Sequence, residues 1–196
     1  MKIFDTLILD VLIYIAEFNE DVWYKLTRIN GEFKEYAMTE AGKRKFIELA
    51  THITRKNVFE CRIFGKLHNI YDYPSFINQM GTQYWHNRGE WHRDEDLPAI
   101  IHTCGTKYWC FNGNFHRNGD LPAIIHANGS QSWYKNGKSH RDNDLPAIIY
   151  AHSGTKIWYK DGRCHRDGDL PAVIRNDRIC EWWKNGIMYK TTRFSL

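Results

Sequence analysis

The sequence predicts an α+β chain: a small N-terminal helical domain over residues 1–58, then an elongated antiparallel β-hairpin repeat sheet over residues 59–196. Three observations carry this. A block of about 24 residues recurs along most of the chain. An Asn-Gly or Asp-Gly pair stands at a fixed place in most copies. Residues 3–55 contain none of the block and are patterned with a helical period.

The repeats come first because self-similarity constrains the fold more than any local signal. Four stretches nearly superimpose: YWHNRGEWHRDEDLPAII, YWCFNGNFHRNGDLPAII, SWYKNGKSHRDNDLPAII and IWYKDGRCHRDGDLPAVI. Their turn glycines are Gly89, Gly113, Gly137 and Gly162; a fifth copy, EWWKNGIMYK, turns at Gly186. The steps are 24, 24, 25 and 24 residues. A step of 24 back from Gly89 reaches Gly65, with His68, Asp72 and Pro74 at the template offsets. Six units follow, the first and last degenerate, as expected of end units that close a stack.

Each unit reads as strand, tight turn, strand, loop. Asn-Gly suits a type I′ turn, which needs φ > 0 at both central residues. Counting outward from Asn136-Gly137 pairs Lys135 with Lys138 and Trp133 with His140. The same count pairs Trp85 with His92, Trp109 with His116, Trp158 with His165, and Trp182 with Tyr189. A flat ring packed across the strand pair is the expected structural role of these positions. Asp-Leu-Pro-Ala then leads into a β-branched strand, and a second turn returns the chain to the next Trp. The extra residue of the 25-residue step falls at that turn, near His152-Ser153. Two strands per unit, about 4.8 Å apart, give a meander roughly 55–60 Å long. A propeller blade would need about 40 residues.

In the head, Leu7, Ile8, Val11, Leu12 and Ile15 form one helical stripe. Asn19 or Asp21 caps a second helix carrying Val22, Leu26, Ile29 and Phe33. Thr39 caps a third, with Phe46, Leu49, Ala50 and Ile53 inward. The apolar run from Leu7 to Phe18 is too short to span a membrane and contains Asp10 and Glu17. It also lacks the basic flank of a secretory signal.

The repeat pattern resembles MORN-type repeats, glycine-turned hairpins of similar period with aromatic residues at fixed strand positions. It departs from them in having fewer glycines and an added His-Arg…Asp-Leu-Pro-Ala signature. HRDGDLPA-type repeats of this kind look like those of large DNA viruses of amoebae. The stretch LILDVLIYIAEFNEDVWYKLTRINGEFKEYA resembles an F-box: Asp10, Leu12 and Ile15 match its first helix, Val22 and Leu26 its second, and Ile29, Asn30 and Phe33 its end. The early Leu-Pro of that family is replaced by Leu7-Ile8-Leu9. The resemblance implies docking to the adaptor subunit of cullin ubiquitin ligases, through Leu7, Val11, Leu12, Ile15, Val22 and Leu26; the other reading of the head is a plain helical cap for the repeats.

Few residues invite chemistry. His-Arg-Asp occurs in three units, but without a glycine-rich phosphate loop or Asp-Phe-Gly, and one unit has Asn118 in the Asp place. The ladder His92, His116, His140 and His165, with Asp96, Asp120, Asp144 and Asp169, invites a metal or pH-sensing reading, yet recurrence in every unit favours a structural one. Ser139-His140 and Cys164-His165 are strand neighbours that point to opposite faces. Five cysteines without Cys-x-x-Cys spacing read as free thiols in a reducing compartment, and His102, Cys104 and Cys110 fit no common zinc module. Neither a catalytic residue, a cofactor nor a metal is expected. By strand alternation Arg93, Arg117, Arg141 and Arg166 point to the face opposite Trp, as a solvated row or an anion- or partner-binding stripe. Residues 61–196 carry a net charge of +5, modest for a nucleic-acid binder.

The functional expectation is a non-enzymatic protein–protein interaction adaptor or recruiting scaffold. The repeats bind a host or viral partner; the head docks a second. The alternatives are a repeat protein that self-associates as a dimer or scaffold layer, or a binder of anionic lipid or nucleic acid through the Arg row. The expected location is intracellular, in host cytoplasm or nucleus if the chain is viral.

Overall fold

The computed structural model describes residues 50–55, 58–63, 66–69 and 72–194, and every regular element among them is a β-strand. The F-box-like pattern from Leu7 to Leu26 lies outside the described residues. So does most of the third expected helix. Its end is described, and Ala50–Arg55 is a strand, not a helix. It pairs antiparallel with Val58–Ile63, from Ala50↔Ile63 to Arg55↔Val58. The reason is local: Thr51, Ile53, Thr54 and Val58 are β-branched and stiff at χ1, which favours a pleated ladder over a helix.

The six units, here numbered by Cys61, Trp85, Trp109, Trp133, Trp158 and Trp182, together with Ala50–Arg55 build one 14-stranded antiparallel sheet. Each internal unit contributes two strands of two residues. One lies just before the Trp, as in Lys107–Tyr108, and one is the β-branched pair, as in Ile124–Ile125. Ile124 lies between Tyr108 and Ser132, and Ile125 between Lys107 and Gln131. The sheet closes with Ile179–Lys184 and Ile187–Arg193. Thirteen strands in line, about 4.8 Å apart, make it roughly 55–60 Å long.

The glycine-turned hairpins of units 2 to 5 are not part of this sheet. They form four separate two-stranded ladders, such as Cys110–Phe111 with Asn114–Phe115. The Trp is where the chain divides. Trp109 N–H donates to Ala123 C=O in the long sheet (2.7 Å), and its own C=O accepts from His116 N–H in the hairpin (3.1 Å). Cys61 makes the same two bonds in unit 1, with Ser75 and His68. The Trp rings are buried, and Ala99, Ala123, Ala147 and Ala172 have no exposed surface at all. These alanines sit beneath the Trp strand, where a larger side chain would hold the strands apart.

Turn chemistry follows the residues. Asn112-Gly113, Asn136-Gly137, Asp161-Gly162 and Asn185-Gly186 all have φ > 0 at both positions, the type I′ signature. At the other edge, His126 N–H donates to Ser130 C=O around a three-residue loop with Gly129 at φ 82. The corresponding turn from Tyr150 to Thr155 is one residue longer and holds the inserted residue.

Candidate interaction surface

The side chains of each HRD-x-D-L-P-A loop bind the neighbouring unit rather than a common site. Arg141 shows the arrangement. Its Nε and Nη2 donate to Asp120 Oδ1 and Oδ2 of the preceding unit (2.8 and 2.9 Å). Its Nη1 donates to Pro146 C=O (3.3 Å), and its guanidinium lies 3.8 Å over the Trp133 ring. Trp133 Nε1–H in turn donates to Asp120 C=O (3.0 Å). The same set recurs as Arg93 with Asp72, Pro98 and Trp85. It recurs again as Arg117 with Asp96, Pro122 and Trp109, and as Arg166 with Asp144, Pro171 and Trp158. A bidentate fork stacked on an indole is the strong form of an Arg contact.

This corrects the expected direction of the Arg row. Arg93, Arg117, Arg141 and Arg166 lie on the Trp rings, not on the opposite face. Strand alternation stops at the His: the next residue already belongs to the loop, which folds back over the indole. Every donor nitrogen of these guanidiniums has a partner within the protein, so the row presents no open anion fork. Unit 6 differs again. A bulge between Trp182 and Trp183 places Trp182 opposite Lys190 rather than Tyr189. Lys190 then takes the Arg place, 4.3 Å over the ring.

The Asp that receives the fork has an unusual backbone. Asp96, Asp120 and Asp144 have φ near +54, and Glu95, Gly119 and Asn143 before them are also positive. Two successive left-handed residues favour Gly, Asn and Asp, which explains the D-x-D spelling. The Arg hydrogen bond holds each of these three carboxyls below the ordinary carboxylate range.

The histidines are inter-unit staples. His116 Nδ1 accepts from Asn136 N–H of the next turn (3.1 Å), and its Nε2–H donates to Asn118 Oδ1 (3.0 Å). His165 does the same with Asn185 N–H and Asp167 Oδ1. His140 accepts from Asp161 N–H, and His92, the most buried of the row, from Asn112 N–H. Each of these rings therefore joins two units while facing its own Trp only through the backbone. Gly89, Gly113, Gly137, Gly162 and Gly186 add a further stitch, each N–H donating to the preceding hairpin, as Gly137 does to Phe115 C=O (2.9 Å).

One more histidine has a calculable consequence. His86 is buried with its Nδ1 2.7 Å from Ser75 Oγ. Burial, and after it the charge of Arg62, push its pKa down from 6.5 to about 4. The folded state therefore favours the neutral ring. That contribution is whole above pH 6.5 and drains away as pH falls from 6.5 to about 4; the Arg-paired carboxylates add their own loss only below the ordinary carboxylate range. The urea midpoint of His86→Gln is expected to fall less steeply between pH 6.5 and 4 than that of the parent protein. Parallel curves across this window would show that His86 is not the titrating group.

The buried thiols Cys61, Cys110 and Cys180 contribute packing, and Cys104 is exposed. All five cysteines are free, and burial raises Cys61 and Cys164 to about 11 and Cys110 to about 12, far from thiolate character at neutral pH.

What remains outside is a row that sequence reading did not single out. The Leu of each Asp-Leu-Pro-Ala loop faces solvent: Leu121, Leu145 and Leu170 are 42%, 38% and 46% exposed. Leu97 is half-buried, and Tyr73 takes the place in unit 1 with 71% exposure. Leu121 lines an open cleft of about 330 Å³ with Trp133 and Arg141 of the next unit. Leu145 lines one of about 510 Å³ with Trp158 and Arg166. The only signal for this row in the sequence was the fixed Asp-Leu-Pro spacing. Among the described residues no helix is long and apolar enough to cross a membrane. No protein-family model matches the chain, and no curated protein matches it.

Proposed function

We propose that the chain is a non-enzymatic interaction scaffold whose repeat sheet binds a protein partner along the Tyr73–Leu97–Leu121–Leu145–Leu170 row. One observation carries this reading. The loop Arg and His and the buried Trp of each internal unit are spent on bonds to a neighbouring unit, whereas its Leu lies partly outside, beside a cleft at Leu121 and Leu145. An apolar side chain repeated once per unit, with a polar rim of Asp and Arg, is the composition of a protein contact. The F-box-like head would dock a second partner, the adaptor subunit of a cullin ubiquitin ligase, through residues such as Leu12 and Leu26. The repeats would then choose what is brought to the ligase.

The test is affinity capture from eukaryotic lysate with the full-length chain, read by mass spectrometry. Leu121→Asp/Leu145→Asp/Leu170→Asp is expected to lose the repeat-bound proteins while remaining folded with a modestly lower melting temperature, since these side chains are 38–46% exposed and lie outside the Trp and Ala core. Leu12→Asp/Leu26→Asp is expected to lose only the ligase adaptor. An undiminished capture by the first variant overturns the Leu row as the binding surface; a parent chain that never retrieves the adaptor overturns the docking role of the head.

A further inference from the structure

The hairpin tips form one long edge of the molecule, and their charge changes along it. In units 2 and 3 the residues flanking the turn pair as Asn87↔Glu90 and Phe111↔Asn114. In units 4 and 5 they pair as Lys135↔Lys138 and Lys160↔Arg163. Like charges directly opposite one another weaken a ladder. Two consecutive units nevertheless keep them, and unit 6 adds Lys184 beside its own turn. All five cations are exposed. Lys135 and Lys160 lean back to Asp142 and Asp167, at 3.3 and 2.8 Å. Lys138, Arg163 and Lys184 make no ion pair among the described residues. The three tips lie side by side, because Gly162 N–H donates to Ser139 C=O and Gly186 N–H to Cys164 C=O, each at 2.9 Å. Two strands per unit set them roughly 10 Å apart. At the other edge, the turns 127–129 and 151–154 before units 4 and 5 hold no Lys or Arg, and the turn 176–178 before unit 6 holds one, Arg178.

We infer that this edge is a sequence-independent contact for the phosphate backbone of a duplex nucleic acid. The cations stand in a line rather than on a plane, which suits a linear polyanion. The turns 135–138 and 160–163 of units 4 and 5 carry no aromatic ring on which an unpaired base would stack and no apolar residue to enter a lipid layer, and the turn of unit 6 alone adds exposed apolar residues, Ile187 and Met188. Lys and Arg on a backbone read charge and spacing, not bases. This surface is separate from the Leu row and does not depend on it. It also relocates anion binding from the four loop arginines, whose donors are occupied, to the tip lysines and Arg163.

The experiment is fluorescence anisotropy of a labelled duplex of about 20 base pairs and arbitrary sequence with the full-length chain, at about 50 to 200 mM salt. Three phosphate contacts predict a slope of log K against log salt of about −3. Lys138→Gln/Arg163→Gln/Lys184→Gln is expected to weaken binding at least about tenfold, two lost contacts already accounting for that at low salt. Its melting temperature is expected to hold or rise, because the tip repulsion is relieved. Lys107→Gln/Lys156→Gln, exposed lysines toward the opposite edge, is expected to bind as the parent does. No duplex binding at the lowest salt overturns the proposal, as does equal binding by parent and tip variant. Binding to phosphatidylserine vesicles without binding to duplex overturns it too, and makes the edge a membrane contact.

Discussion

Trp133→Ala is expected to destabilise the repeat sheet by roughly 3–5 kcal/mol, read as a fall in the urea midpoint. The indole is 6% exposed at the centre of the molecule, so its removal leaves a cavity lined by neighbours that are themselves held in ladders. Three further losses come with it. Nε1–H no longer satisfies Asp120 C=O. The Arg141 guanidinium loses the ring 3.8 Å beneath it. The fork to Asp120 loses the surface that holds it flat. Trp133→Phe separates these effects, because it keeps a ring under Arg141 and removes the N–H; a loss of about 1–2 kcal/mol is expected. An unchanged midpoint for Trp133→Ala would show that the Trp row is not the core.

Gly137→Val is expected to cost more than Gly129→Val, although both glycines have positive φ. At Gly137, φ is +78 and a side chain would begin 2.7 Å from Asn114 Oδ1 of the preceding hairpin. That Asn is not free to swing away without loss, since its Nδ2 donates to Asn112 C=O (3.1 Å). The type I′ turn also allows no other conformer at this position. At Gly129, φ is +82 and the nearest atom is Ala151 Cβ at 3.4 Å, in a loop whose counterpart one unit on accepts an extra residue. Expected losses are roughly 2–4 kcal/mol for Gly137→Val and about 1–2 for Gly129→Val, from the cost of the left-handed conformation and its crowding. Equal urea midpoints would refute the ranking.

Much of the repeat was legible because its determinants are local. The Asn-Gly turns fix their own φ signs, and they set the register of Lys135 against Lys138 without help from any other unit. Burial of the Trp row followed from its recurrence once per unit across the hairpin from His. What escaped the sequence lies where local counting breaks down. Alternation along a strand placed the arginines opposite Trp, but the strand ends at His, and the next residue obeys the loop. Counting through unit 6 placed Tyr189 across from Trp182, but a bulge shifts the pairing by one. The division of the Trp strand into two ladders depends on Ala123 and its counterparts accepting the Trp N–H, a bond between segments 14 residues apart. The exposure of the Leu row was not legible, because it depends on the left-handed backbone of Asp96, Asp120 and Asp144 and on the Pro that follows each Leu. Strand formation at Ala50–Arg55 competed with a helical reading that rested on the Thr39 cap and the apolar period, and its β-branched residues decided it.

The loop side-chain bonds run in one sense: the His and Asp of one unit receive the turn N–H and the Arg of the next, and among the described residues none of these reaches past that neighbour. Such a molecule behaves as a ruler. Its length is a free parameter, graduated in steps of about 10 Å, because excising or duplicating one complete unit would leave every remaining interface with its proper donor and acceptor. The number of graduations, rather than any single residue, then determines how far apart two ligands are held along it. Natural selection can alter that distance by unequal crossing-over alone, without redesigning a single contact.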